Sequence, residues 1–278
     1  MAQNWIRAYE LEAGQAGGTG FKITDLKIEF SLTKTEDETA NDITLSIWNL
    51  NDEHIAELEK KDCVVTLKAG YVGNIKQIFV GYVCFIEGEP DGADWKTTLT
   101  IVDGRVETRD TQVSTSYDAG TSSKTIIDDI AKEMGVSVTY GDDVTHCEMP
   151  SGYSFVGDAA TSLDKVCDTA GLSWSIQDGK LEIKKNKGAM NKTGYVLSAE
   201  TGLISTAKKV RMSTENTTDN DEYGWEVEYL MNADIKISDY VYLKTKRVTG
   251  YFRVSQITMG GSNWDGDWTC KATLLNDS

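Results

Sequence analysis

Chemistry that needs a histidine has only His54 and His146 to draw on. A Ser/His/Asp or Cys/His nucleophile must use one of these two. His54 lies in the charged run DEHIAELEK and is expected to be solvated. His146 stands beside Cys147 with no further ligands at metal spacing, which reads as a loop histidine next to an idle thiol. No G-x-S-x-G, H-E-x-x-H or phosphate-loop pattern occurs. Carboxylates are too numerous for counting to exclude a glycosidase pair. The run Asp219-Asn220-Asp221-Glu222-Tyr223-Gly224 is similar to a calcium loop, but an EF-hand needs Glu at its twelfth position, where this chain has Leu230. Asn263, Asp265 and Asp267 read as a Gly-Asp turn. No catalytic, cofactor-binding or metal-ligating residue is assigned, and no cofactor is expected.

The charge is strongly negative, with 44 acidic against 28 basic residues and a formal net charge of −16. Such a surface repels phosphate backbones, so specific nucleic-acid binding is not expected. Charge is also unevenly placed. Residues 213–240 hold eight acids (Glu215, Asp219, Asp221, Glu222, Glu226, Glu228, Asp234, Asp239) and one base. Residues 180–211 hold eight bases and two acids. Solvated faces would account for both runs. The five cysteines form no C-x-x-C pair and several fall in apolar patterns, as core thiols made in a reducing cytoplasm would. The first residues lack an apolar signal core, and no run of about 18 apolar residues is present, so neither export nor membrane insertion is expected.

The elements that would carry these groups are mostly strands. Leu26, Ile28, Phe30 and Leu32 alternate, as do Ile43, Leu45 and Ile47. Residues 63–69 and 95–102 read likewise. Residues 78–86 (IFVGYVCFI) are apolar on both faces, which suggests a central strand. Residues 52–60 suggest one or two helical turns with Asp52 near the cap. The texture changes near residue 118. Residues 122–134 and 158–170 carry apolar stripes at helical spacing, stopped by Gly135 and Gly171. LSWSI, a QDGK turn and LEIKK form a hairpin. Strands return from about residue 196. The fold class expected is mainly β with an α+β insert: modules at 1–115 and 196–278 around an α/β domain at 116–195.

The two β regions share an order of landmarks. IWNLN, DCVVTLK, FVGYVCF and DWKTTLTI in the first correspond to EYLMN, DYVYLK, VTGYFRV and DWTCKATLL in the second. This reads as a duplicated β module. Trp95 and Trp268 take equivalent places and would be core anchors or edge packing, with a sugar-binding platform as the functional rival. Two equivalent modules per chain let three copies close a ring with pseudo-sixfold symmetry.

The run ITLSIWNLNDEHIAEL through DWKTTLTIVDG, with its Gly70-Tyr71-Val72-Gly73 loop, resembles the first tube-like barrel of the tail and baseplate hub proteins of bacteriophages and related injection systems. LSAETGLIS is similar to their linker, and WEVEYLMN through KATLL resembles their second barrel. Ala233, Ser238 and Gly260-Gly261 depart from the family's turn residues. The resemblance implies a virion component made in the host cytoplasm, a homotrimer at the tip of a tail tube. Tail tube or distal tail protein would lie on one side, a central spike or fibre with baseplate proteins on the other, and the DNA channel through the middle. Glu226 and Glu228 would then alternate outward and line the channel. Lys184, Lys185, Lys187, Lys208 and Lys209 would meet an acidic neighbour. The alternatives are a carbohydrate- or receptor-binding tail protein and a tail-associated cell-wall hydrolase.

Overall fold

A period-two burial pattern fixes which face of each strand turns inward. The computed structural model describes residues 6–15, 18, 20–36, 42–103, 111–212 and 222–276. The first region contributes β1 (Arg7–Gln15), β2 (Gly20–Ile23), β3 (Ile28–Thr35), β4 (Asp42–Trp48), helix α1 (Asp52–Leu58), β5 (Cys63–Tyr71), β6 (Asn74–Asp91) and β7 (Asp94–Val102). The middle contributes β8 (Gln112–Tyr117), α2 (Ser123–Met134), β9 (Ser137–Tyr140), β10 (Tyr153–Asp158), α3 (Ala159–Ala170), β11 (Leu172–Gln177) and β12 (Lys180–Lys185). The last region adds β13 (Asn191–Leu197), β14 (Lys208–Met212), β15 (Glu222–Leu230), β16 (Asp239–Lys244), β17 (Thr249–Ser262) and β18 (Trp268–Asn276). The described residues form two compact units: one from 6–36, 42–102 and 193–276, the other from 103 and 111–192. Both β regions therefore lie in one unit and share one core.

The β unit is a single 13-stranded sheet system. In the first region the order is β3-β4-β7-β6-β5-β1-β2; in the last it is β14-β15-β18-β17-β16-β13. Apart from β2, which has no counterpart, the two orders match strand for strand. Local detail matches as well. A register shift falls between Val83 and Phe85 in β6, and another between Val254 and Gln256 in β17. Asp62 and Ser238, each just before its strand, both take the left-handed backbone, at φ 58° and 63°. Asn49 N–H donates to Trp95 O at 2.8 Å, as Met231 N–H does to Trp268 O at 3.2 Å. The ladders thus align Trp48 with Leu230, Asp62 with Ser238 and Cys84 with Ser255, shifting the sequence landmarks by a residue or two.

One ladder joins the regions. The later half of β17 pairs with β3, from Gln256 opposite Thr35 to Ser262 opposite Glu29. Three features close this joint. Thr33 and Thr258 hydroxyls bond across it at 3.1 Å. At one end the buried Arg253 guanidinium pairs with Glu36, which also accepts from Ser238 Oγ at 2.9 Å. At the other, Asn263 accepts from Ile28 N–H at 2.8 Å and donates to Leu26 O at 3.0 Å. Trp268 is 3 % exposed, lies edge-on to Phe30 at 5.3 Å, and donates from Nε1 to Gly70 O at 3.0 Å. Gly70 itself admits no side chain, because a Cβ would sit 2.3 Å from Asn74 O.

One expectation is corrected here. Residues 78–86 are not flanked as a central strand: up to Gly81 β6 pairs only with β5, Tyr82 pairs with both β5 and β7, and from Val83 onward it pairs only with β7. Ile78 and Phe79 are buried, whereas Phe85 is 59 % exposed. The helical turn expected from Asp52 is α1, with Asp52 next to the cap residue Asn51, whose Oδ1 accepts from His54 N–H at 2.7 Å.

In the middle unit, β11, β12 and β9 form one sheet, and β10 pairs with β8. Ile126, Ile127, Ile130, Leu163, Val166 and Cys167 of the two helices pack with Trp174, Leu181 and Ile183. The Asp178-Gly179 turn takes the two positive φ angles, 53° and 73°, of a tight hairpin. Its two N–H groups donate to the buried Asp103 carboxylate at 2.6 and 3.1 Å. Asp158 caps α3, accepting from Thr161 N–H at 2.8 Å. That bond holds its carboxyl below the ordinary carboxylate range.

Removing one partner of a buried ion pair strands the other charge. Glu36→Ala is expected to destabilise the β unit by about 3 kcal/mol in chemical denaturation, with Arg253→Met in the same chain recovering most of it. Asp158→Ala is expected to cost about 1 kcal/mol, read as faster hydrogen exchange of the α3 amides. Because the folded pKa is depressed, the wild-type advantage is full above the unfolded value of about 3.9. It fades as pH falls through the folded pKa.

Candidate assembly surface

Ser123 and the two histidines are built into the framework. Ser123 opens α2 and is fully buried; its Oγ accepts from Cys147 N–H at 3.2 Å and lies 3.4 Å from His146 Nδ1. A nucleophile closed off from solvent has no substrate to attack. Burial, and then the Lys124 charge, holds His146 below its ordinary pKa, so the ring is neutral near pH 7 and packs edge-on to Tyr140. His54 is not simply solvated: it is half-buried and stacks on Phe21 at 4.1 Å, a contact between residues 33 positions apart that no local pattern shows. Cys63, Cys167 and Cys270 are buried, Cys147 is half-buried and Cys84 is exposed; all are free thiols. Among the described residues no three His, Cys, Asp or Glu side chains converge as metal ligands. The Asn263–Asp267 turn is held by its backbone, with Arg7 donating to Asp265 O at 2.9 Å and to Gly266 O at 2.5 Å.

What the β unit does present is charge on strands. Val227 and Tyr229 point into the core, so Glu226 and Glu228 share the opposite face of β15. Glu226 is exposed, with its carboxylate 4.0 Å from Lys208 Nζ. Glu228 is half-buried and accepts from Thr269 Oγ1 at 3.1 Å; Lys271 lies opposite it on β18. Glu215, Asp219 and Asp221, with the start of the calcium-like run, lie outside the described residues.

The bases divide between the units. Lys208 and Lys209 are both exposed on β14, where Lys209 Nζ sits 4.4 Å over the Tyr223 ring. Lys185 and Lys187 are exposed in the middle unit. Lys184 corrects the sequence expectation: it is 5 % exposed and cannot greet a partner. Lys184 sits opposite Ser173 of β11, one residue past the end of the β9 ladder at Ile183.

A feature that the sequence does not show is a strand edge left without a partner among the described residues. Phe85, Glu87, Gly88, Glu89, Pro90 and Asp91 of β6 are all exposed. The equivalent residues of β17 are covered by β3. The doubly apolar run IFVGYVCFI could have hinted at it only together with the acidic EGEPD that follows. The exposed half of β6 is held firm at its tip. Trp48 Nε1 donates to Asp91 at 2.8 Å, Asn49 Nδ2 to Asp94 at 2.9 Å, and Trp95 N–H to Asn49 Oδ1 at 3.0 Å.

Known proteins share this architecture. A 43 kDa tail protein of prophage MuSo2 from Shewanella oneidensis superposes with TM-score 0.64 at 11 % identity, over 97 % of this chain and 98 % of its own. A tail protein from Neisseria meningitidis MC58 gives 0.65 at 10 % identity, over 97 % of each. The c3393 protein of E. coli, a type VI secretion component with structural similarity to phage T4 tail proteins gp27 and gp5, gives 0.63 at 9 % identity, over 91 % of this chain and 74 % of that one. No curated protein matches in sequence. At such identities the likeness shows the fold, and family membership rests on sequence: residues 22–258 match the family described as Baseplate hub gp41. The chain belongs to the baseplate hub gp41 family.

Proposed function

We propose that three copies of this chain close a ring at the tip of a phage tail, joining a sixfold tube to a threefold spike or fibre. The observation that carries this is the matched strand order of the two β regions. Each chain then offers two equivalent modules, and three chains offer six similar contacts to a hexameric neighbour. The work is assembly and passage, not turnover.

Glu226 and Glu228 are the acids we assign to the channel wall, where carboxylates keep passing DNA from sticking. Lys185 and Lys187 of the middle unit, with Lys208 and Lys209 of β14, are the bases for acidic neighbours in the baseplate. The protein would thus be made in the host cytoplasm and act in the virion, touching tube or distal tail protein on one side and spike or fibre on the other.

Light scattering on the 30.6 kDa chain is expected to show a trimer whose population rises with concentration. A strictly monomeric species at every concentration would overturn the ring. Glu226→Lys with Glu228→Lys is expected to leave the trimer intact and make it retain DNA at low salt in a filter-binding assay. The wild-type ring should retain none. Equal retention by both would remove these acids from the channel.

A further inference from the structure

Two of the edges left open among the described residues of the β unit are complementary. Within the chain, β3 pairs with the later half of β17. By strand order β14 is the counterpart of β3, and β6 is the counterpart of β17. Among the described residues, β14 pairs only with β15, and residues 83–91 of β6 pair only with β7. Among the described residues the same joint is therefore made once inside the chain and left unmade once, with one half on β14 and the other on β6.

The contrast in cover is sharp. On β17, Ile257 and Met259 are buried beneath the joint; on β6 their counterparts, Ile86 and Gly88, are half-buried and exposed. Trp268 is 3 % exposed, whereas its counterpart Trp95 is 47 % exposed. Trp268 has the β3 residue Phe30 edge-on to it. An open edge of this length is a standing template for another strand.

We propose that the open edge of β6 receives β14 of a second copy, antiparallel, as the chain's own β17 receives β3. Transferring the internal register sets Glu87 opposite Val210 and Glu89 opposite Lys208. The charges suit this occupant. The edge carries Glu87, Glu89 and Asp91 on one face, and the incoming strand sets Lys208 on that face, opposite Glu89. Opposite charges facing each other across a ladder favour the pairing. Pro90 has no N–H to offer, which sets a limit to how far the added strand can zip. The proposal rests on the three-copy ring and names the strands that would close it. Each joint is head-to-tail, so it closes only if the rotation per copy does.

The test is cross-linking in register. Glu87→Cys and Val210→Cys, placed together in a Cys84→Ser chain, are expected to give disulfide-linked trimers under mild oxidation that dithiothreitol dissolves. Glu87→Cys with Lys209→Cys, which puts the second thiol on the other face, should link poorly. Glu89→Lys is expected to weaken association roughly two- to fivefold per joint. Adding Lys208→Glu should restore it, a rescue that general damage to folding would not show. A trimer by light scattering with no cross-link and no rescue overturns the joint and leaves the ring. Cross-linked ladders that run past three copies keep the joint and overturn the ring. A monomer at every concentration overturns both.

Discussion

The structure depends on the requirement that strand edges find partners. A strand has two rows of backbone donors and acceptors, and burial without partners is costly. β17 meets this on both sides along most of its length, with β18 on one and then β16 and β3 on the other. Because β3 comes from the first region, that single ladder makes one core of two β regions far apart in sequence. The clamp of Arg253, Glu36 and Ser238 at one end, and the Asn263 bonds at the other, fix its register.

From that joint follows much else. Phe30 can cover Trp268 only because β3 is seated there, and Trp268 in turn ties β18 to the Gly70 turn. The core then runs from Leu11 and Leu67 to Val241 and Leu274 without a break. The middle unit is organised separately, by capped helices on a small sheet. Asp103 and Asp158 are engaged by a turn and a helix cap. Ser123 and His146 are likewise engaged by neighbours in the unit.

Membership of the baseplate hub family fits the assembly role proposed above. β2 apart, the strands of the β unit fall into two matching sets of six, the repeated contacts on which that proposal rests.

Local pattern, read in the sequence, determined a good deal. Period two gave the strands, helical stripes with Gly135 and Gly171 gave α2 and α3, and Asp178-Gly179 gave the hairpin, because each depends on residues a few positions apart. The outward placement of Glu226 and Glu228 was legible for the same reason. Tertiary structure alone decided which of two similar tryptophans is buried, why Lys184 is hidden while Lys185 is not, and that His54 stacks on Phe21. Those outcomes depend on what a distant strand covers. The later half of β6 is the clearest case: its residues are as apolar as a central strand at first, yet its edge stays open, because no local pattern records the end of a neighbour.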